Sequence, residues 1–296
     1  TWNSLRRNLL LDFYVNYNKE IESIQSRIDA MAGYSWQHFY NSDFDITKSN
    51  PVAFGEKERW TYDETEGRFW QNGYHRIPKE NYLVSFFGRL NWHYKDRYLL
   101  TVSGRYDGSS VLAEGNKWAF FPSAALGWRL DQEGFMKDID WIEQLKVRVG
   151  MGVAGNSSVG AYGTLGKISN YWMPFSTGNE KIFVTNEPYY SNSQNEMPNK
   201  DLGWEKTTQF NYGIDYSFIG GRIGGTLDIY TSRTTDLLMK RSISSLTGYP
   251  NIMSNIGETK NFGIELTINA VPLRIGDFQW TSDLNFAFQK DEIVEL

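Results

Sequence analysis

Apolar and polar side chains alternate over long stretches of this chain, the period-two signature of strands whose two faces meet different surroundings. Leu9, Leu11, Phe13, Val15 and Tyr17 share one face, and Asp12, Tyr14 and Asn16 the other. Ile24, Ile28, Ala30, Ala32, Tyr34 and Trp36 then oppose Gln25, Arg27, Asp29, Gly33, Ser35 and Gln37. Next, Tyr82, Val84, Phe86, Leu90, Trp92 and Tyr94 oppose Ser85, Arg89, Asn91 and His93, and after a turn Tyr98, Leu100, Val102 and Tyr106 oppose Thr101, Ser103 and Arg105. The same rule holds through 118–129, 145–153, 209–218, 226–229, 262–269 and 278–288. Ten strands and no long helix are predicted.

Alternation alone fits both a soluble sandwich and a membrane barrel, since each gives a strand one apolar face. Three further features favour the barrel. The strands run to about ten residues, enough for a tilted strand to cross a bilayer, whereas sandwich strands are shorter. Connections alternate in length: 18–20, 95–97, 219–221 and 272–277 are tight, while 40–81, 107–117, 155–201 and 232–258 are long. Only 131–144 is an extended member of the short class, with room for one helical turn around 139–143. Such asymmetry belongs to outer-membrane barrels, with short periplasmic turns and long external loops. Finally, rings sit at the strand ends on the apolar face. Trp92, Tyr94, Tyr98, Trp128, Tyr216, Phe218 and Trp280 mark the short-turn end, and Tyr34, Trp36, Tyr82, Tyr106 and Trp118 the other. Two interfacial girdles are the expected result. The fold class predicted is therefore all-β: an antiparallel transmembrane β-barrel.

Composition sharpens this picture. The 296 residues include 18 Phe, 18 Tyr and 11 Trp, more rings than one compact core needs. No stretch approaches a membrane helix, so any crossing is by strands. The absence of cysteine excludes disulfides, thiolate metal sites and a cysteine nucleophile. A net charge of -5, without a basic arm, argues against nucleic acid as a partner. The opening residues show neither an initiator Met nor a signal core, as expected of an internal piece or a processed product.

Few motifs carry chemistry. Gly150, Gly152 and Gly155 spell G-x-G-x-x-G, but no amphipathic helix follows to receive a pyrophosphate. His38, His75 and His93 lack metal-ligand spacing, and His38 is expected at an outer rim. Asp43 and Asp45 open something like a calcium loop, yet Lys48 stands where glycine is required; a solvated loop is expected there. No catalytic residue, metal or cofactor is assigned. The polar face is more informative. Arg27, Arg89, Arg105, Arg129, Lys146 and Arg148 fall on strands two to six, and Asp215, Asp228, Glu265 and Asp283 on strands seven to ten. Counted from the 272–277 turn, Glu265 and Asp283 lie at similar depth on neighbouring strands, a like-charge pairing that calls for a cation. The acidic arc is expected to dock on a separate plug segment; charges scattered along a wet channel are the competing reading.

Several stretches resemble the barrel region of SusC/RagA-type TonB-dependent transporters, the large outer-membrane importers of Bacteroidetes. They are GYSWQ at 33–37, GRLNWHYKDRYLLTVSGRYDGSS at 88–110, FFPSAALGWRL at 120–130, LKVRVGMGVAGN at 145–156, LGWEKTTQFNYGIDY at 202–216 and NIGETKNFGIELTINA at 255–270. The resemblance implies an energised importer in the outer membrane: a barrel of about 22 strands around an N-terminal plug. It further implies coupling to TonB and a SusD-like surface lipoprotein that captures glycans or peptides. A barrel of that size needs roughly 650 residues at about 30 per strand, so residues 1–296 are expected to be part of its wall, with signal, plug, TonB box and final strands outside this sequence. Substrate contacts would then come from loop rings, here Trp60, Tyr62, Phe69, Trp70, Tyr74, Tyr171, Trp172, Tyr189 and Tyr190, because aromatic faces stack on sugar rings. Those rings could equally pack the loops on one another or on the lid. Two other classes remain open at this point: a self-contained ten-stranded pore or adhesin, whose first and last strands would pair, and a secreted carbohydrate-binding sandwich or glycoside hydrolase.

Overall fold

The computed structural model describes residues 2–47, 60–63, 68–71, 73–165, 173–177, 180–184 and 196–296, with side chains at 4–42, 79–165, 196–244 and 246–296. In chain order the strands are β1 (Trp2–Ile21), β2 (Ser26–Thr47), the short β3 (Trp60–Asp63) and β4 (Arg68–Gln71), β5 (Gly73–Tyr94), β6 (Tyr98–Ser109), β7 (Trp118–Arg129) and β8 (Ile142–Asn156). There follow β9 (Met173–Thr177), β10 (Glu180–Val184), β11 (Glu196–Met197), β12 (Glu205–Phe218), β13 (Ile223–Thr235), β14 (Leu238–Ser242), β15 (Asn251–Asn255), β16 (Glu258–Ile275) and β17 (Phe278–Glu295). One ten-stranded sheet has the order β1-β2-β5-β6-β7-β8-β12-β13-β16-β17, a meander in which every long strand pairs with its neighbours in sequence. All ten predicted strands are present. Two compact units divide the chain, 1–11 with 36–83 and 12–35 with 84–296; the packing that follows lies in the second unit unless the first is named.

Among the described residues, nothing covers the greasy face. Leu126 is 53%, Trp280 54% and Phe286 62% exposed, while the buried hydrophobic residues among those described are only Val111, Leu112, Ala113, Phe121, Leu202 and Trp204. A sandwich would bury that face against a second sheet. Here the sheet carries its apolar surface outward, as a strand wall in hydrocarbon must. The order of the sheet ends in β1 and β17, and nearly every described residue of both is exposed on either face. No pairing joins them among the described residues, so the sheet is open and the ten-stranded closed pore is not what forms.

Rings touch along both rims. At the short-turn end Tyr98 stacks on Trp128 at 6.3 Å and on Tyr94 at 6.1 Å, and Tyr216 on Phe218 at 5.3 Å. Toward the long loops, Tyr106 stacks on Trp118 at 5.0 Å, and Trp118 on Phe86 at 6.3 Å. Within the first unit, His38 lies flat on Tyr82 at 4.5 Å, with Trp36 beside Tyr82 at 6.2 Å.

Several boundaries differ from expectation, and each has a local cause. The residues 18–20 are strand, not turn; β1 runs on to Ile21 and reverses through a 3-10 turn at Glu22–Ile24 with Gln25 left-handed (φ 50°). Polar residues there mark a strand leaving hydrocarbon, not a chain reversal. The last turn sits at Gly276 (φ 55°) and Asp277, while Pro272 lies in a bulge between Ala270 and Leu273, where a missing N–H is tolerated. The extended turn has no helix at 139–143; its two 3-10 turns are Leu130–Gln132 and Gly134–Met136. The segments read as loops at 40–81, 155–201 and 232–258 hold short strands of their own. Asp43 and Asp45, expected in a solvated loop, belong to β2.

Candidate functional site

On the polar face, charge is organised around one arginine. Arg148 of β8 donates from Nε and an Nη to Asp215 of β12 at 2.9 and 2.7 Å, and the same Nη reaches Asp228 of β13 at 3.1 Å. Lys146, two residues before it on the same face, stands 3.4 Å from Asp215. The reach to Asp228 crosses an intervening strand at Gly213, which is opposite Arg148 on one side and Asp228 on the other. A β-carbon there would meet the Arg148 guanidinium carbon at 2.6 Å and an Asp228 oxygen at 2.7 Å. The glycine is a gap through which the ion pair passes. All four charged groups are partly shielded, from 18% to 33% exposed, so charge-assisted bonds here exceed the near-zero value of a surface pair.

Three other basic residues are answered by an acid two positions further along the chain. Arg105 grips Asp107 at 2.7 Å, also donates to Ser85 and lies 5.7 Å from the Phe87 ring centre. Arg129 donates to Asp131 at 2.8 Å, and Arg27 lies 3.2 Å from Asp29. Arg89, Glu265 and Asp283 are exposed, without an ion-pair partner among the described residues. The expected Glu265–Asp283 pairing is not formed. Glu265 stands opposite Asp228 on one side and Ala287 on the other, and Asp283 opposite Asn269. Placing the turn at 272–277 instead of 276–277 misjudged the register by about three residues; the like-charge neighbour of Glu265 is Asp228.

Among the described residues, the buried apolar side chains gather at the long-loop end. Leu112 and Leu202 are 1% and 0% exposed. Around them the Ala113 N–H donates to the Leu202 carbonyl (3.0 Å), the Trp204 indole to the Lys117 carbonyl (2.9 Å) and the Asn116 amide to the Asp201 carbonyl (2.9 Å). Phe121 meets Trp204 edge-on at 5.2 Å. Asn255 ties in a third segment: its Oδ1 accepts from the Gly203 N–H at 2.7 Å, and its Nδ2 donates to the Gly203 and Asp236 carbonyls at 3.0 Å each. Backbone groups that loops would leave to water are satisfied here by one another and by the Asn116, Trp204 and Asn255 side chains. Three loop segments thus form a rigid platform beside the strand ends. Gly203 and Trp204 come from the stretch LGWEKT, but periodicity gives no sign of the platform.

Of the loop rings expected to meet substrate, Tyr171, Trp172, Tyr189 and Tyr190 lie outside the described residues. Trp60, Tyr62, Phe69 and Trp70 fall on the β3–β4 hairpin, where Tyr62 pairs with Phe69 and Trp70 with Thr61, and Tyr74 lies on β5; their side chains are outside the described set. Gly150 and Gly152 lie within β8, not in a phosphate loop, and Gly155 gives its space to the Phe121 ring. His38 faces Glu80 at 3.6 Å in the first unit.

At the short-turn end, Glu133 accepts from the Tyr98 phenol (2.8 Å), the Trp128 indole (3.1 Å) and Arg97 (3.2 Å). The phenol and indole bonds, with the arginine, hold the Glu133 carboxyl below the usual glutamate range. Burial pushes Asp131 up, but bonds from Arg129, Gln132 and the Leu145 N–H outweigh it and leave its carboxyl below the ordinary aspartate value. Neither acid was singled out from sequence.

Residues 1–294 match the family model described as TonB dependent receptor-like, beta-barrel. The chain is 35% identical over 296 residues to the TonB-dependent receptor SusC of Bacteroides thetaiotaomicron, covering 98% of this chain and 27% of SusC. It is 33% identical to the TonB-dependent receptor P39 of Formosa agariphila, again over 98% of this chain and 27% of the relative. In structure it superposes on the RagAB peptide transporter with TM-score 0.75 at 20% identity, covering 100% of this chain and 31% of that one. The outer membrane transporter YddB from Escherichia coli gives TM-score 0.60 at 14% identity, with 99% and 34% covered. The chain thus spans about a quarter of the length of the curated relatives named.

Proposed function

Because this chain belongs to the TonB-dependent receptor β-barrel family of the outer membrane, in its SusC/RagA branch, we propose that residues 1–296 are ten consecutive wall strands of an active nutrient importer. Its cargo is a glycan or a peptide, delivered by a SusD-like surface lipoprotein and drawn inward through coupling to TonB. The observation that carries this reading is the division of one sheet into two surfaces. One is greasy, uncovered and rimmed with rings; the other is laced with cross-strand ion pairs suited to an aqueous interior. The platform of Leu112, Leu202, Trp204 and Asn255 supports the reading too, since a lid and cargo require loops that hold their positions. Glu265 and Asp283, exposed and unanswered, suit the flank of a plug carrying basic side chains.

Uptake by the host with its gene intact or disrupted tests the proposal, using labelled oligosaccharide and oligopeptide pools in turn. Loss of one pool's uptake on disruption, with the same loss in intact cells given a protonophore, is the expected result. Unchanged uptake of both pools would overturn it. Replacing Trp70 and Trp172 by alanine in the intact receptor should weaken binding of the affected pool; equal affinity removes both rings from the cargo site.

A further inference from the structure

The turn between β7 and β8 is longer than the others at its end of the sheet, and it folds against the greasy side of the wall. Its tether, Glu133, accepts bonds from the polar tips of Tyr98 and Trp128. Those two rings pair across β6 and β7 and lie on the face that carries Leu100, Val102 and Leu126. At the other end of the turn, Trp141 stands 5.4 Å from Phe218, which stacks on Tyr216 of the same greasy face, and the Trp141 carbonyl accepts the Ile219 N–H at 2.8 Å. Between these anchors the backbone is stiff: Asp131 gathers Arg129, Gln132 and the Leu145 N–H around the first 3-10 turn. Yet Phe135 is 65% and Trp141 57% exposed, with Lys137, Asp138 and Asp140 also exposed between them. Two large rings thus stand mostly exposed on this segment, with Trp141 leaning on Phe218.

We propose that this turn is an interfacial foot: residues 131–141 lie along the phospholipid headgroup layer, and Phe135 and Trp141 reach the acyl boundary. Aromatic side chains are favoured at that depth. The occupant follows from continuity. Both anchors of the turn are girdle rings, so the surface beside them is the one that already faces lipid. The foot carries the girdle sideways from β6 and β7, past the end of β8, to β12. It holds the wall at a set depth where the tight turns at Lys95–Asp96 and Gly220–Gly221 offer no ring.

The inference rests on the greasy face touching lipid, and the test separates the two ideas. The chain has no cysteine, so single nitroxide labels can be placed by Phe135→Cys and Trp141→Cys in the intact receptor, reconstituted in phosphatidylethanolamine–phosphatidylglycerol vesicles. Leu126→Cys on the greasy face of β7 and Asp96→Cys in a tight turn are references; heat-modifiable migration in detergent gels confirms that each variant is folded. Collision rates with oxygen and with a water-soluble nickel chelate are then compared. Labels at 135 and 141 should favour oxygen several-fold more than the label at 96, and less than the one at 126. If 135 and 141 read like 96 while 126 reads as lipid, the foot is refuted and the lipid-facing wall stands. Shielding of 135 and 141 from both reagents would mean a protein covers the turn, which also refutes it. A watery reading at 126 would bring down the wall assignment itself.

Discussion

Gly213 matters for the atoms it lacks. With Arg148 and Asp228 on either side of it, any β-carbon would occupy the path of the guanidinium. Gly213→Ala is therefore expected to push Arg148 off Asp228, leaving Asp228 opposite Glu265 with neither carboxylate answered, at a cost of about 1–2 kcal/mol. Guanidinium unfolding of the intact receptor in lipid vesicles measures it; an unchanged midpoint would show that the fork to Asp215 alone suffices. Glu133 gives a pH prediction. Its carboxyl is held down by Tyr98, Trp128 and Arg97, so the clasp contributes fully above the ordinary glutamate value and fades as pH falls through the lower, folded value. The indole N–H resonance of Trp128, followed in a selectively labelled sample, should shift with a midpoint below that of an exposed glutamate; a midpoint at the ordinary value would contradict the clasp. At this scale the sequence was half legible. Period two placed Arg148, Asp215 and Asp228 on one face, but which acid meets which base depends on register, and a glycine on the polar face reads as a blank.

Strands were the legible elements, because hydrocarbon on one side and water on the other impose alternation residue by residue. Their ends were not. β1, β2 and β5 continue past the apolar stretch, where the alternation fades. Register across the last hairpin failed for a related reason: Pro272 announces a turn, but here it marks a bulge inside β16. The loop platform was legible only as motifs, since a core built from Leu112, Leu202 and Trp204 has no periodicity. Leu202→Ala should leave a cavity costing about 3 kcal/mol to the platform while the strand wall persists. Limited proteolysis of the folded receptor is the readout. Faster cleavage within 107–117 and 199–204, with unchanged heat-modifiable migration, is expected; cleavage no faster than in the parent protein would mean the platform is held by its hydrogen bonds alone.

For the molecule as a whole, the ten-stranded sheet is open among the described residues, ending in β1 and β17, and the chain covers 27% of SusC's length. The acidic arc makes a prediction at this scale. In the intact receptor, Glu265 and Asp283 should each lie within salt-bridge distance of a plug Arg or Lys, and an experimental structure with both in open solvent would discard the docking idea. The exposed greasy face has an evolutionary consequence. A side chain in fluid hydrocarbon has no fixed neighbour to fit, so Leu126 or Phe286 can drift among apolar residues of quite different shape. Gly213 and Arg148 have no such freedom, each being tied to fixed groups on adjoining strands. Two opposite clocks should therefore run along every strand of this wall, fast on odd or even positions according to which side meets the bilayer, and slow on the rest.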